Sequence, residues 1–148
     1  MKKIAIASLI ALAVTAASAQ EVGVVASRDL SSDRNAAGLT LGHKFGAVGV
    51  TAGFERSTQG NSTQTRVGTT VGMDVATLGP VTIAPTLGVA YLDNATGADG
   101  GAMTLGVSAT MPITSQVNLS VNLGRQWGQA RVQAHDGNRV TVGLNRRF

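Results

Sequence analysis

The chain contains no cysteine. A small exported domain of the soluble kind usually compensates for its small core with disulfides, so that route to stability is closed here. Beyond the N-terminus, no stretch approaches the roughly 20 apolar residues a membrane-spanning helix needs. Charged residues make up 14% of the chain and form no basic run, which argues against a nucleic-acid partner. Aromatic residues number five and prolines three. Valine, leucine and isoleucine are too frequent for a disordered chain, and the 19 glycines follow no three-residue repeat of the collagen kind.

What is present begins with an export signal. Lys2 and Lys3 precede the apolar run 4–14, and Ala17, Ser18 and Ala19 form a small-residue cleavage site before Gln20. The expected organisation is therefore a cleavable signal peptide over 1–19 and one domain over 20–148. Loss of the two lysines lowers the formal charge from +4 to +2.

The last eleven residues carry the clearest pattern. Val140, Val142, Leu144 and Phe148 fall on one phase of a two-residue repeat, and Arg139, Thr141, Gly143, Asn145 and Arg147 fall on the other. The same alternation predicts strands at 21–30, 37–45, 48–56, 65–76, 81–92, 101–111, 116–127 and 138–148. Each is about nine to twelve residues long, enough to cross a bilayer at a tilt. Pro85 falls inside the fifth and, lacking a ladder donor, predicts a bulge or weak point there.

Connections alternate in kind. Polar stretches at 31–36, 57–64, 93–100 and 128–137 read as loops, whereas 46–47, 77–80 and 112–115 read as short turns. An up-and-down barrel with both ends in the periplasm has this order of long outer loops and short inner turns. The aromatics agree. Phe45, Phe54, Tyr91, Trp127 and Phe148 all take the apolar phase and lie at or next to strand ends, as a girdle at the headgroup level would. The expected fold is all-β, an eight-stranded antiparallel up-and-down transmembrane β-barrel in the bacterial outer membrane. Its ladder closes on itself, so no disulfide is needed.

On these features the mature chain resembles the small eight-stranded outer-membrane proteins of the OmpA/OmpX type. The resemblance rests on the signal segment, the eight alternating segments, the loop–turn alternation and the closing run VTVGLNRRF. It implies that Phe148, Leu144, Val142 and Val140 serve as the signal read by the barrel-assembly machinery. Arg146 departs from the family pattern, where that outward position is usually aromatic or apolar. Its long stem would let the guanidinium reach the periplasmic interface.

The polar phase should line the lumen, which eight strands leave just wide enough for side chains to fill. Its charges are Glu21, Lys44, Glu55, Arg66, Asp74, Arg139 and Arg147. Two lumen ion pairs are expected, Glu55 with Arg66 across a hairpin and Lys44 with Asp74 near the periplasmic end. Arg28, Arg56 and Arg125 fall on the outward phase near outer strand ends, where they could contact lipopolysaccharide phosphates. Outer-membrane lipid and lipopolysaccharide are thus the expected partners of a monomer.

Enzymatic activity is not expected. Ser31, His135 and Asp136 could be arranged at the outer rim as in the lipid-modifying barrels, but no motif surrounds them. Neither a cofactor nor a metal site is expected, since His43 and His135 are isolated from each other. The leading functional reading is a structural or interaction barrel for envelope integrity or surface display, with a mostly packed lumen. A porin-like channel for ions or small solutes is the alternative, and a soluble periplasmic β-sandwich with a binding role is a third.

Overall fold

Hydrocarbon offers no partner for a backbone amide, so a chain of this pattern must pair every strand edge within itself. The computed structural model does so. It describes residues 20–60, 62–95, 99–128 and 136–148. The expected signal segment 1–19 and His135 lie outside the described residues.

Nine strands run in chain order among those residues: β1 (Glu21–Asp29), β2 (Arg34–Phe45), β3 (Val48–Gln59), β4 (Ser62–Met73), β5 (Ala76–Leu78), β6 (Val81–Asn94), β7 (Gly100–Pro112), β8 (Val117–Gly128) and β9 (Gly137–Arg147). Each long strand pairs antiparallel with its chain neighbours. The first also pairs with the last, from Glu21↔Arg147 to Asp29↔Arg139. The short β5 prolongs β4 against β6, so the barrel has eight staves. A single closed ladder leaves no second sheet to pack against, which rules out the β-sandwich.

The register of β4 and β5 against β6 slips once. Pairing runs to Gly72↔Thr86 and resumes at Ala76↔Ile83, so Met73, Asp74 and Val75 oppose only Ala84 and Pro85. One extra residue on one strand is a β-bulge. Pro85, with no N–H to offer, sits at the gap, as its position in the sequence predicts.

The distribution of side chains is inside out. Val24, Leu39, Phe54, Leu87, Leu105, Leu123 and Leu144 all face outward and are exposed. Buried polar residues include Ser27, Asp29, Ser57, Gln64, Asn94 and Gln126, whereas Leu92 is the largest fully buried apolar side chain described. A water-soluble fold would reverse this. In lipid the exposed leucines and valines are the buried surface.

The outer hairpins depart from expectation. Strands continue into stretches that read as loops: β2 begins at Arg34, β3 runs to Gln59, β4 begins at Ser62 and β6 runs to Asn94. β1 and β2 are joined by 30–33, with Asp33 at φ 52°, and Gly60, just after β3, is at φ 58°. Tight turns use positive φ of this kind, which glycine adopts without strain. The polar runs carry no apolar face because, above the hydrocarbon, the outward side of a strand meets no oil.

The outward face should tolerate no charge near its middle. Val107→Lys, on the exposed phase of mid-β7, is expected to destabilise the barrel by about 2–4 kcal/mol. Urea titration of the mature chain refolded in phospholipid vesicles, scored by heat-modifiable gel mobility, would show it; an unchanged midpoint would place that face away from lipid.

Candidate functional site: a polar lumen closed at its outer end

Strand parity decides which residues meet inside. Glu55 on β3 and Arg66 on β4 are directly opposed across the hairpin, as expected. They do not form the ion pair that the sequence suggested. Glu55 instead bridges to Arg139 on β9, with the two side chains 13% and 11% exposed. Ser27 Oγ on β1 donates to Glu55 Oε2 at 3.1 Å and accepts from Arg139 Nη2.

Glycine makes this crossing possible. Between Glu55 and β1 lies Gly38 on β2. A Cβ at Gly38 would come within 2.8 Å of Glu55 Cγ and 2.0 Å of the Phe54 carbonyl oxygen. The missing side chain leaves the room through which the carboxylate crosses β2.

Arg66 reaches the other way. Its Nη1 donates to Gln126 Oε1 on β8, and Nη2 donates to Thr104 Oγ1 on β7 at 3.3 Å. Between the rows of Arg66 and Thr104, β6 and β7 carry the small facing pair Ala90 and Ala102. One layer up, Gln64 Nε2 donates to Asn94 Oδ1 at 2.9 Å, and Arg34 Nη1 to Ser57 Oγ at 3.5 Å. Asp29, opposite Arg34 in the ladder, accepts from the backbone N–H groups of Ser31 and Ser32 at 3.0 and 3.2 Å. The outer third of the lumen is thus filled by hydrogen-bonded polar side chains.

At the periplasmic end the expected Lys44–Asp74 pair is present, with both side chains more exposed than the Glu55–Arg139 pair. A second pair, Arg147 Nε with Glu21 Oε1 at 2.7 Å, joins the ends of β9 and β1. Between the two levels lies a cavity of about 290 Å³, lined mainly by Thr, Ser, Asn and Gly side chains and reaching from Glu55, Arg66 and Arg139 to Lys44, Asp74 and Arg147.

Arg34, Ser57, Gln64 and Asn94 were not legible as lumen residues because they sit in stretches without an apolar phase. Parity carries the signal: Ser57 continues Glu55, Gln64 precedes Arg66, and Asn94 follows Leu92, each by two residues. Asp29, the last residue of β1, is likewise buried inside.

The remaining candidates lie on the outside. Phe45, Phe54, Trp127 and Phe148 are exposed on the outward phase, and Tyr91 is half-buried there. Val142, Leu144 and Phe148 are exposed, and Val140 is half-buried on the same face of β9. Arg28, Arg56 and Arg125 are exposed near the outer ends of β1, β3 and β8. Arg28 pairs with Asp33, and the Arg125 guanidinium lies 5.8 Å from the Trp127 ring centroid. Arg146 stands 5.4 Å from the Phe148 ring centroid, and His43 packs on Phe45 with ring centroids 4.1 Å apart. Ser31 and Asp136 hold backbone contacts of their own: the Ser31 N–H goes to Asp29, and Asp136 Oδ1 accepts from Gly128 N at 2.5 Å.

If Glu55 neutralises Arg139, then Glu55→Ala should lower stability by about 3–5 kcal/mol by stranding a buried cation. Glu55→Ala/Arg139→Ala should recover part of that loss. A double-mutant cycle in urea measures the coupling, and additive losses would show that the two side chains act independently.

No family model matches the chain, and no curated protein matches it either. Solved structures do. Neisserial surface protein A superposes with a TM-score of 0.62 at 14% identity, over 86% of this chain and 95% of that one. A de novo designed transmembrane β-barrel gives 0.57 at 12% identity, over 86% and 93%. A second designed barrel, solved in solution, gives 0.54 at 16% identity, over 86% and 92%. The chain has the fold of a small bacterial outer-membrane β-barrel, and its outward apolar face fits that fold to a bilayer.

Proposed function

We propose that the protein is a structural or interaction barrel of the bacterial outer membrane, contributing to envelope integrity or surface display, and that it is neither an open pore nor an enzyme. The observation that carries this reading is the outer lumen layer. There Arg139, Glu55 and Ser27 bond to one another, Arg66 bonds to Gln126 and Thr104, and Gln64 bonds to Asn94. Desolvated charges held by several bonds each are costly to separate, so an ion passing that level must break them. The 290 Å³ cavity beneath favours the second reading, a small-solute or ion channel.

The mature chain in planar bilayers should pass no steady single-channel current, and Glu55→Ala should leave that unchanged while weakening the fold. A stable, reproducible conductance would replace the structural reading with the channel.

Two contacts belong to the same proposal. Val140, Val142, Leu144 and Phe148 present an apolar terminal strand for the assembly machinery. Arg28, Arg56 and Arg125 sit near the outer ends of β1, β3 and β8, with Arg28 bridged to Asp33. Guanidinium forks suit lipid phosphates, so these three would hold outer-leaflet lipopolysaccharide against a monomeric barrel. Replacing all three by Gln should reduce the lipopolysaccharide that co-purifies; an undiminished amount would remove this contact from the proposal.

A further inference from the structure

The lumen charges do not balance. Lys44, Arg139 and Arg147 each bridge to a carboxylate, namely Asp74, Glu55 and Glu21. Arg34 lies directly opposite Asp29 in the ladder. Arg66 is different. All eight acidic residues of the chain are described, yet among the described residues its guanidinium touches none of them, only the neutral oxygens of Gln126 and Thr104. The lumen thus holds one more cation than anion, and the excess sits at the blind end of the cavity.

That cation still has capacity to bind. A guanidinium carries five N–H donors, and two are engaged by these partners. Arg66 lines the cavity, whose wall is mainly hydroxyl, amide and glycine. Hydroxyls stand beside it. Thr70 on β4, Gly88 on β6 and Thr104 on β7 form one ladder row, and a Cβ at Gly88 would meet Thr70 Oγ1 at 3.0 Å. Thr104 Oγ1 accepts from Arg66, so its own hydrogen is free to donate. Thr86 occupies the next inward row, with its oxygen accepting from Asn122 Nδ2 at 3.0 Å. Gly88, which lines the cavity, keeps this wall low.

We propose that this blind end is a binding site for a small oxyanion, a carboxylate or phosphate group, held by the Arg66 fork with the Thr70 and Thr104 hydroxyls and entering from the periplasm. A planar fork matches two oxygens of such a group. Hydroxyl donors complete its shell without adding a competing negative charge. Glu55 also faces the cavity, but Arg139 and Ser27 already take up its charge. The entry route follows from the cavity itself, which runs down to the level of Lys44, Asp74 and Arg147, whereas the Gln64–Asn94 layer stands above it.

Backbone amide shifts of the mature barrel in detergent micelles, titrated separately with sodium formate and with inorganic phosphate at constant ionic strength, test this. The expected result is saturable shifts confined to residues around Arg66, Thr70, Gly88 and Thr104, with formate displaced by phosphate. Arg66→Gln should weaken binding by about tenfold or more, as loss of a charge-assisted pair of bonds implies. Arg66→Lys, which keeps the charge without the fork, should bind with intermediate affinity and guards against a fold defect in the Gln variant. Arg34→Gln, above the cavity, should bind as the parent does. Shifts that grow linearly and spread over the surface, or a saturation unaltered in both Arg66 variants, would overturn the site.

Discussion

A backbone in hydrocarbon must find all its hydrogen-bond partners within itself, and everything else in this barrel follows from that constraint. The pairing of β1 with β9 removes the last open edge. Once it is closed, the outward phase is free to be wholly apolar, because lipid rather than protein covers it. The inward phase is then cut off from that apolar role and can hold charge. The absence of cysteine fits the same logic, since closure, not covalent bridging, holds the ends of the chain together.

Closure also fixes what can meet inside. A lumen eight strands wide brings β3 within reach of β9 and β4 within reach of β8, provided the side chains between them are small. Gly38 leaves room for Glu55 over β2, and between the rows of Arg66 and Thr104 β6 and β7 carry only the small pair Ala90 and Ala102. These crossings tie opposite walls together where ladder bonds join only neighbours. Glycine therefore has a positional role here beyond turns: it sets which charges are paired across the lumen and leaves Arg66 without a carboxylate.

The two ends of the lumen differ in consequence. The outer end is filled by long amides and guanidiniums that hydrogen-bond one another, and the middle is lined by short hydroxyl side chains and glycine that cannot fill it. A polar cavity of this size is a place for water or a small polar guest. The bulge opposite Pro85 falls toward the periplasmic end, between the β4 and β5 pairings with β6, so the residue without an N–H sits where the ladder already skips.

The residues alone determined the strands, their number and which face of each meets lipid, because a two-residue period is a local property that hydrocarbon on one side makes strict. Val140, Val142, Leu144 and Phe148 announce their side without reference to any other strand. The polar extensions of β2, β3, β4 and β6 were hidden because their outward positions lie above the oil, where no apolar pattern is required. The pairing of Glu55 with Arg139 was hidden for another reason. Adjacent strands place Glu55 opposite Arg66, and only the curvature of the closed barrel brings Arg139, 84 positions further along the chain, nearer in effect. Contacts across a lumen depend on strand tilt, stagger and the size of every intervening side chain, and no local pattern in the sequence records their sum.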